Sequence, residues 1–353
     1  MGFFTVIVDS SSRHPFIPIV QCCHIRIYTH IQKVKSLRAV SLDSAELDPK
    51  GLKGDRRFMV VSPLPTPLWG SFGPNESTHR FLTQRQCPSL ATIIAKLEDD
   101  GYLTLSCAGS NNKKSIRIQT QPPNPTTTYK AGIWSDQVLV DDMGDEAAAF
   151  FQSIIDSDPD CKSGDEGDKD ASSPSMYNNV RLVSHTRNDR LADRQFVPSV
   201  ARSWITDSSP PVALSDGFPI LIACQASLDE LNRRLVESGK KAIPMSRFRP
   251  NIVIQGSSLE PFEEDRWKVI SIGDALFTVV KACPRCKQSC TDQETGKVSN
   301  EPVETMSTFR AIGPDVSDVF FAQNVVPITT TGTIQKGAPV RVLERGDPVY
   351  AAA

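Results

Sequence analysis

Short apolar runs and two-residue alternation set the pattern of this chain. Ile25 to Tyr28, Tyr102 to Ser106 and Ser115 to Gln119 alternate apolar and polar positions, which turns one face of each segment toward a core. Phe58 to Ser62, Ile220 to Ala223, Asn251 to Ile254, Trp267 to Ile272, Ala275 to Lys281 and Pro339 to Leu343 are more continuously apolar and predict buried strands. Val180 to Val183 opens a second strand-rich region after a long polar stretch. Helical patterning is confined to Gly144–Ile155, with acids in the first turn where the helix dipole favours them, and to Ser227–Leu235. In the latter, Ser227 and Glu230 stand at the spacing of a capping box. Many strands and few helices predict a strand-rich α+β fold, a barrel or mixed sheet rather than a doubly wound one.

Composition changes sharply between Asp156 and Asn179, where acidic residues, Ser, Gly and Pro leave almost nothing to bury. A disordered acidic insertion is expected at 156–179. A calcium loop does not fit, because Asp160, Lys162, Gly164 and Asp168 miss the ligand offsets of an EF-hand. Residues 1–24 read as a tail, leaving two strand-rich regions at 25–155 and 180–350. The apolar run at the start is too short to span a bilayer, and no other segment predicts a membrane helix. A net charge of −2 gives no basic field for nucleic acid. Nine irregularly spaced cysteines do not form a secreted disulfide framework, so an intracellular, reducing compartment is expected.

Two features carry chemistry. The first is Ala282-Cys-Pro-Arg-Cys286, where the strand Phe277–Lys281 ends and a thiol stands beside a cation that favours the thiolate. Three alternatives stand beside that reading: ordinary buried cysteines, a zinc site with Cys290 as a third ligand, or a redox dithiol at Cys-x-x-Cys spacing. Zinc takes four ligands, and no second pair at ligand spacing exists; the five histidines are isolated. A dithiol motif wants to open a helix, and the segment from Lys287 to Gly296 is polar and turn-like. The second feature is a set of cations at strand mouths: Lys35-Ser36, Arg56-Arg57, and Arg249 with Asn251 around Pro250. Taken singly, each is an ordinary surface charge or ion pair; converging on the cysteine strand, they suit an anionic, phosphate-bearing ligand. No G-x-G-x-x-G follows a strand and no P-loop occurs, which leaves nicotinamide and P-loop nucleotide binding unsupported.

These pieces occur together in a known order. Val34-Lys-Ser-Leu-Arg38, Gly51-Leu-Lys-Gly-Asp-Arg-Arg-Phe58, Phe81-Leu-Thr-Gln-Arg-Gln-Cys-Pro-Ser-Leu90, Trp134-Ser-Asp136 through Gly144-Asp-Glu-Ala-Ala148, Arg247-Phe-Arg-Pro-Asn-Ile-Val-Ile254, Ala282–Cys286, Asp292, Thr295-Gly296 and Phe309-Arg310 follow one another. From about Ile25 to Tyr350 the chain resembles MOSC-domain proteins with an N-terminal β-barrel domain, and among them the mitochondrial amidoxime-reducing component family. The resemblance implies a MOSC β-barrel domain after the N-terminal barrel, and a molybdenum cofactor (Mo-molybdopterin) whose metal takes Cys286 as its protein ligand; a soft thiolate suits that metal. It further implies pterin and phosphate contacts at Lys35, Ser36, Arg56, Arg249, Asn251 and Arg285, with Gly217, Phe218, Pro284 and Asn324 at other contact positions. Cys283 is then expected to tune the site rather than ligate the metal.

The activity so implied is reduction of small N-hydroxylated substrates of the amidoxime or hydroxylamine type. Electrons are expected from a separate cytochrome b5-type donor and its reductase, because no ferredoxin-like cysteine set is present. A monomer in the cytoplasm or mitochondria is expected. The pattern is broken at Asn324, where the animal enzymes carry Tyr, at Phe58 in place of Trp, and at His30-Ile-Gln-Lys33. Neither a membrane anchor nor an aminotransferase-like sulfurase domain is expected ahead of these motifs. A different class remains open: a carrier or binding module in which Cys286 holds a persulfide or the cofactor is only stored. A dithiol protein using Cys283 and Cys286 is a third.

Overall fold

Alternation along Arg26–Ile31 puts Ile27 and Ile31 on one buried face, and the same logic builds nineteen strands among the described residues. The computed structural model describes residues 26–63, 77–108, 114–124, 126–161, 177–192, 210–313 and 318–350. The tail at 1–24 and most of the acidic stretch at 156–179 lie outside them.

In chain order the strands are β1 (Arg26–Ile31), β2 (Val40–Leu42), β3 (Ser44–Asp48), β4 (Gly51–Leu52), β5 (Phe58–Pro63), β6 (His79–Phe81), β7 (Ile93–Leu97), β8 (Tyr102–Cys107) and β9 (Ser115–Gln119). Then come β10 (Thr128–Ile133), β11 (Asp136–Asp142), β12 (Arg181–Ser184), β13 (Ile220–Cys224), β14 (Ile252–Gln255) and β15 (Trp267–Ile272). The last are β16 (Ala275–Arg285), β17 (Val319–Pro327), β18 (Thr333–Gln335) and β19 (Val340–Arg345). The fold is strand-rich α+β: β10-β11-β12-β5-β6 close into a barrel, and β19-β15-β16-β17-β13-β14-β1-β2 form an eight-stranded sheet.

Strands are exchanged between the two regions. β1 pairs antiparallel with β14, with Tyr28 opposite Val253, while β12 pairs with β5, with Leu182 opposite Val60. The cause is burial of apolar faces. Ile27, Leu47 and Leu52 complete the core around Trp267, Ile270 and Phe277, and Tyr177, Val180 and Leu182 complete the core around Phe58, Leu90 and Phe151. The first residues of the acidic stretch also pack: Pro159–Cys161 makes one 3-10 turn, and Cys161 is buried and disulfide-paired with Cys87. Cysteine spacing gave no signal of that pair.

Asp145–Ile155 is helical as patterned, burying Ala147, Phe150, Phe151, Ile154 and Ile155 on one stripe. The second helix begins earlier than expected, at Gln225, and runs to Glu237. Its capping box does not form, because β13 runs straight into it and leaves Ser227 inside the first turn. There the Ser227 hydroxyl is fully buried within hydrogen-bonding reach of both Glu264 carboxylate oxygens, at 2.7 and 2.8 Å, and Glu230 pairs outward with Arg233 and Arg234. β17 was hidden by Gln323 and Asn324 in its middle; Gln323 is satisfied inside by donating to Asp265 at 2.7 Å.

Burial pushes the Glu264 carboxyl up, the neighbouring Asp265 adds to this, and Ser227 opposes it. A raised folded-state value means the ionised form weakens the fold increasingly as pH rises above the ordinary carboxylate range. Glu264→Gln is therefore expected to match or exceed the parent in urea unfolding at pH 7, the difference closing as pH falls toward 4. Ser227→Ala, which removes the hydroxyl donor and leaves the carboxylate only backbone N–H groups such as that of Cys224, should lose about 1–3 kcal/mol at pH 7. An unchanged midpoint for Ser227→Ala would contradict this account.

Candidate functional site

β16 is long, and its pairing with β17 shifts register between Val279 and Lys281 and again between Ala282 and Pro284. Pro284 has no N–H to give the ladder, so the strand ends in an irregular, partly open segment. Cys286 follows, extended and exposed, at the head of the 3-10 turn Lys287–Cys290. Four other segments meet it around one pocket: Arg56 ahead of β5, the loop Ser215–Phe218 ahead of β13, Arg247–Asn251 ahead of β14, and Asn324 in β17. The structure thus gathers Arg56, Gly217, Phe218, Arg249, Asn251, Pro284, Arg285, Cys286 and Asn324 from positions far apart in sequence. Lys35 and Ser36 are buried and do not line the pocket; Lys35 lies behind it against Leu214 and Asp216, and the Ser36 carbonyl accepts from Gln84.

The backbone is bent to make this meeting possible. Ser36, Arg56 and Arg249 all adopt left-handed conformations, with φ of 69°, 47° and 56°. Side chains rarely accept that region, and each such residue costs roughly 1–3 kcal/mol. Gly51, at φ 100°, brings the β3–β4 hairpin against the pocket loop; a Cβ there would stand 2.9 Å from Cβ of Pro219.

The pocket is cationic. Arg56 pairs with Asp55 and donates to Asn251 Oδ1 at 3.1 Å, while Asn251 Oδ1 also accepts the Leu221 N–H at 3.1 Å. Asn251 thereby sets Arg56 rather than reaching far into the pocket itself. Arg249 is buried, and its guanidinium donates to Gln293 Oε1 at 2.7 Å, Gln32 Oε1 at 2.6 Å and the Leu37 carbonyl at 2.8 Å. Burial, and then the charge of Arg56, push its proton affinity down, so its positive charge is held at a cost. Lys35 donates to the Leu214 carbonyl at 2.8 Å and to Asp216 at 2.5 Å; burial pushes it down to about 8 despite that partner. Crowding works to raise the Asp216 carboxyl, but Lys35, with hydrogen bonds from Lys35 and Trp134, outweighs it and holds Asp216 well below the usual range. Two buried polar atoms on the wall have no partner among the described residues: Ser215 Oγ and Arg247 Nε. Such groups are open to a partner that the protein itself does not supply, a water or a bound group.

The two cysteines are served by different cations. Arg285 turns back, its Nη1 2.9 Å from Sγ of Cys283 and its Nη2 2.5 Å from the Phe248 carbonyl. The cation near Cys286 is Arg85, whose Nη1 lies 3.7 Å from Sγ. Adjacency in sequence left open which thiol Arg285 serves, and the strand decides it for Cys283, because along an extended strand residues two apart share a face. Ser215, Asp216, Arg247 and Arg85 were not singled out from the sequence, although Arg85 and Arg247 lie inside conspicuous motifs. Arg190 carried no signal at all. It is buried, with Nε on Asp136 at 2.7 Å and Nη1 on the Ala213 carbonyl at 2.9 Å, and it donates further to the Ser215 and Asp216 carbonyls. Those bonds fix the loop that carries Gly217 and Phe218.

Comparison with known proteins agrees with this architecture. A family described as "MOSC N-terminal beta barrel domain" matches residues 27–158, and one described as "MOSC domain" matches residues 209–341. Mitochondrial amidoxime reducing component 2 of Bos taurus is 28% identical over 326 residues, covering 91% of this chain and 81% of that protein. Mitochondrial amidoxime-reducing component 1 of Homo sapiens is 29% identical over 326 residues, covering 89% and 81%. A molybdenum cofactor sulfurase of Botryotinia fuckeliana is 25% identical over 331 residues, covering 86% of this chain and 38% of that protein. With both family matches in order along the chain, it is a MOSC-domain protein that carries the MOSC N-terminal β-barrel domain.

Proposed function

We propose that the pocket binds a molybdenum-bearing pterin and that the protein reduces small N-hydroxylated compounds, with Cys286 as the protein's ligand to the metal. The observation that carries this reading is an exposed cysteine at the mouth of a pocket lined by Arg56, Arg247, Arg249 and Arg285, with two unpaired buried polar atoms on its wall. Among the described residues no three His, Cys, Asp or Glu side chains stand together as a metal site, so a metal at Cys286 takes its other ligands from a bound group. The relatives named for amidoxime reduction and for the molybdenum cofactor support the same group.

The donor set suits such a cofactor. Arg56 and Arg247 present cations to a phosphate, Ser215 offers a hydroxyl, and Lys35, Arg249 and Arg285 raise the local positive potential. Gly217, Phe218, Pro284 and Asn324 shape the wall, and Cys286 offers a soft sulfur. When bound, the cofactor supplies the redox centre at which an N–O bond is cleaved; two electrons and two protons convert N–OH to N–H and release water. The protein binds and orients it, keeps its anionic part on buried cations, and leaves the Cys286 side open to substrate. The electrons come from a separate cytochrome b5-type protein and its reductase. No helix among the described residues is long and apolar enough to cross a membrane.

Protein expressed in a host that makes the cofactor should contain about one molybdenum and one pterin per chain, and reduce an amidoxime when given a reduced donor. Absence of both molybdenum and pterin sinks the proposal, as does a Cys286→Ala variant with undiminished turnover. The match to a sulfurase favours one second reading, a sulfur-carrying module: mass spectrometry would then find a persulfide on Cys286 in protein that has no reductase activity.

The pocket's positive charge also depends on pH. Lys35, at about 8, is charged below that value and loses its proton above it. Inorganic pyrophosphate should therefore bind the cofactor-free chain more weakly at pH 9 than at pH 7, by at most about tenfold for one linked proton. Isothermal titration checks this, and Lys35→Gln should flatten the dependence.

A further inference from the structure

Arg85 belongs to the barrel region, yet it is the cation beside the exposed sulfur of the second region's cysteine. It follows β6, and both its backbone N–H and its Nε donate to Thr83 Oγ1, at 3.1 and 3.3 Å. Its guanidinium carbon lies 4.6 Å from the centroid of the Trp134 ring, a cation–π arrangement. Its Nη1 points at Cys286 Sγ.

Trp134 is an unusual residue for its place. It sits in the tight turn between β10 and β11 at φ 52°, where Gly or Asn would be free of strain. It remains 36% exposed, so core packing does not account for a bulky ring there. Instead the ring is held from three sides. Its indole N–H donates to Asp216 Oδ1 at 3.0 Å, its edge meets Phe81 with centroids 5.5 Å apart, and Arg85 covers its face. Asp216 in turn holds Lys35, so a continuous run of contacts leads from Cys286 back to a buried cation. Backbone strain of this kind collects at functional sites.

We propose that Arg85, clamped on the face of Trp134, is the positioning residue of Cys286: it holds a fixed positive charge at that sulfur from the barrel side of the pocket. Arg285 does not do this, since its guanidinium is turned to Cys283. The barrel region thus contributes directly to the reacting end of the site. The inference rests on the reading of Cys286 as the functional sulfur.

The test uses the cofactor-free full chain and two alkylating reagents, iodoacetate and iodoacetamide, at one fixed pH. The ratio of their rates at Cys286, read by peptide mass spectrometry, cancels the fraction of thiolate and reports the local charge. An anionic reagent is favoured by a neighbouring guanidinium, and loss of one unit charge at this range should cost about threefold to fivefold. Arg85→Gln should lower the iodoacetate-to-iodoacetamide ratio at Cys286 by that factor, with the ratio at Cys283 unchanged. Arg85→Lys should restore most of it, and Trp134→Ala should lower it because the guanidinium loses its platform. Trp134→Phe keeps an aromatic face and should stay near the parent value, which separates the clamp from general damage to the turn. An unchanged ratio in Arg85→Gln overturns the proposal. Because no molybdenum is involved in the measurement, that failure is distinct from a failure to find the metal.

Discussion

The structure is organised around one buried charge that has no carboxylate partner among the described residues. Taking a guanidinium out of water is costly, and the cost is offset only where its N–H groups meet well-placed acceptors. Arg249 meets the side-chain oxygens of Gln293 and Gln32 and the carbonyl of Leu37, and its own carbonyl accepts from Gln32 Nε2 at 2.9 Å. Gln293 and Gln84 exchange hydrogen bonds at 2.7 and 3.0 Å, and Gln84 donates to the Ser36 carbonyl at 2.7 Å. This polar network runs across the joint between the two regions. It orders Ser36 beside Lys35, holds the segment ahead of β14, and leaves net positive potential under the pocket. A network in which every member is satisfied is rigid, and a rigid cationic floor suits an anionic ligand that must sit in one orientation.

The backbone conformations support the same picture. Among the described residues seven non-glycine positions have positive φ, and Ser36, Arg56, Trp134 and Arg249 are four of them. All four lie on or just behind the pocket. Strain collects there because side chains from distant segments have to converge, and the surrounding cores are large enough to hold them. The buried clusters around Phe277 and Phe151 provide that support, one beneath each region.

Much of the fold was legible in short-range pattern. Two-residue alternation marked β8 and β9, apolar runs marked β5, β13, β14 and β15, and acids ahead of Ala147 and Ala148 marked the first helix. β17 escaped because Gln323 and Asn324 interrupt its apolar run, and only the tertiary partner Asp265 makes Gln323 acceptable inside. The capping box failed for a related reason: Ser227 faces Glu264, a residue no local window contains. At the site, cysteine, cation and turn motifs identified most of the pocket wall. Sequence could not say which cation serves which thiol, since that depends on strand facing and on a contact between Arg85 and Cys286, 201 residues apart. Arg190, which shapes the pocket loop from beneath, sits in a polar segment that looks like any surface turn.

The exchange of strands has a consequence for how the chain is made on the ribosome. The barrel cannot close until β12 has emerged, and β1, paired on one edge with β2, has its other edge open until β14 appears; Gln32 meets Arg249 across 217 residues. The N-terminal half therefore leaves the ribosome with one open strand edge and an apolar face that only later synthesis can cover. Such long-range pairing folds slowly and exposes edges in the meantime. The pocket, built from segments at both ends of the chain, is among the last parts of the molecule to acquire its form.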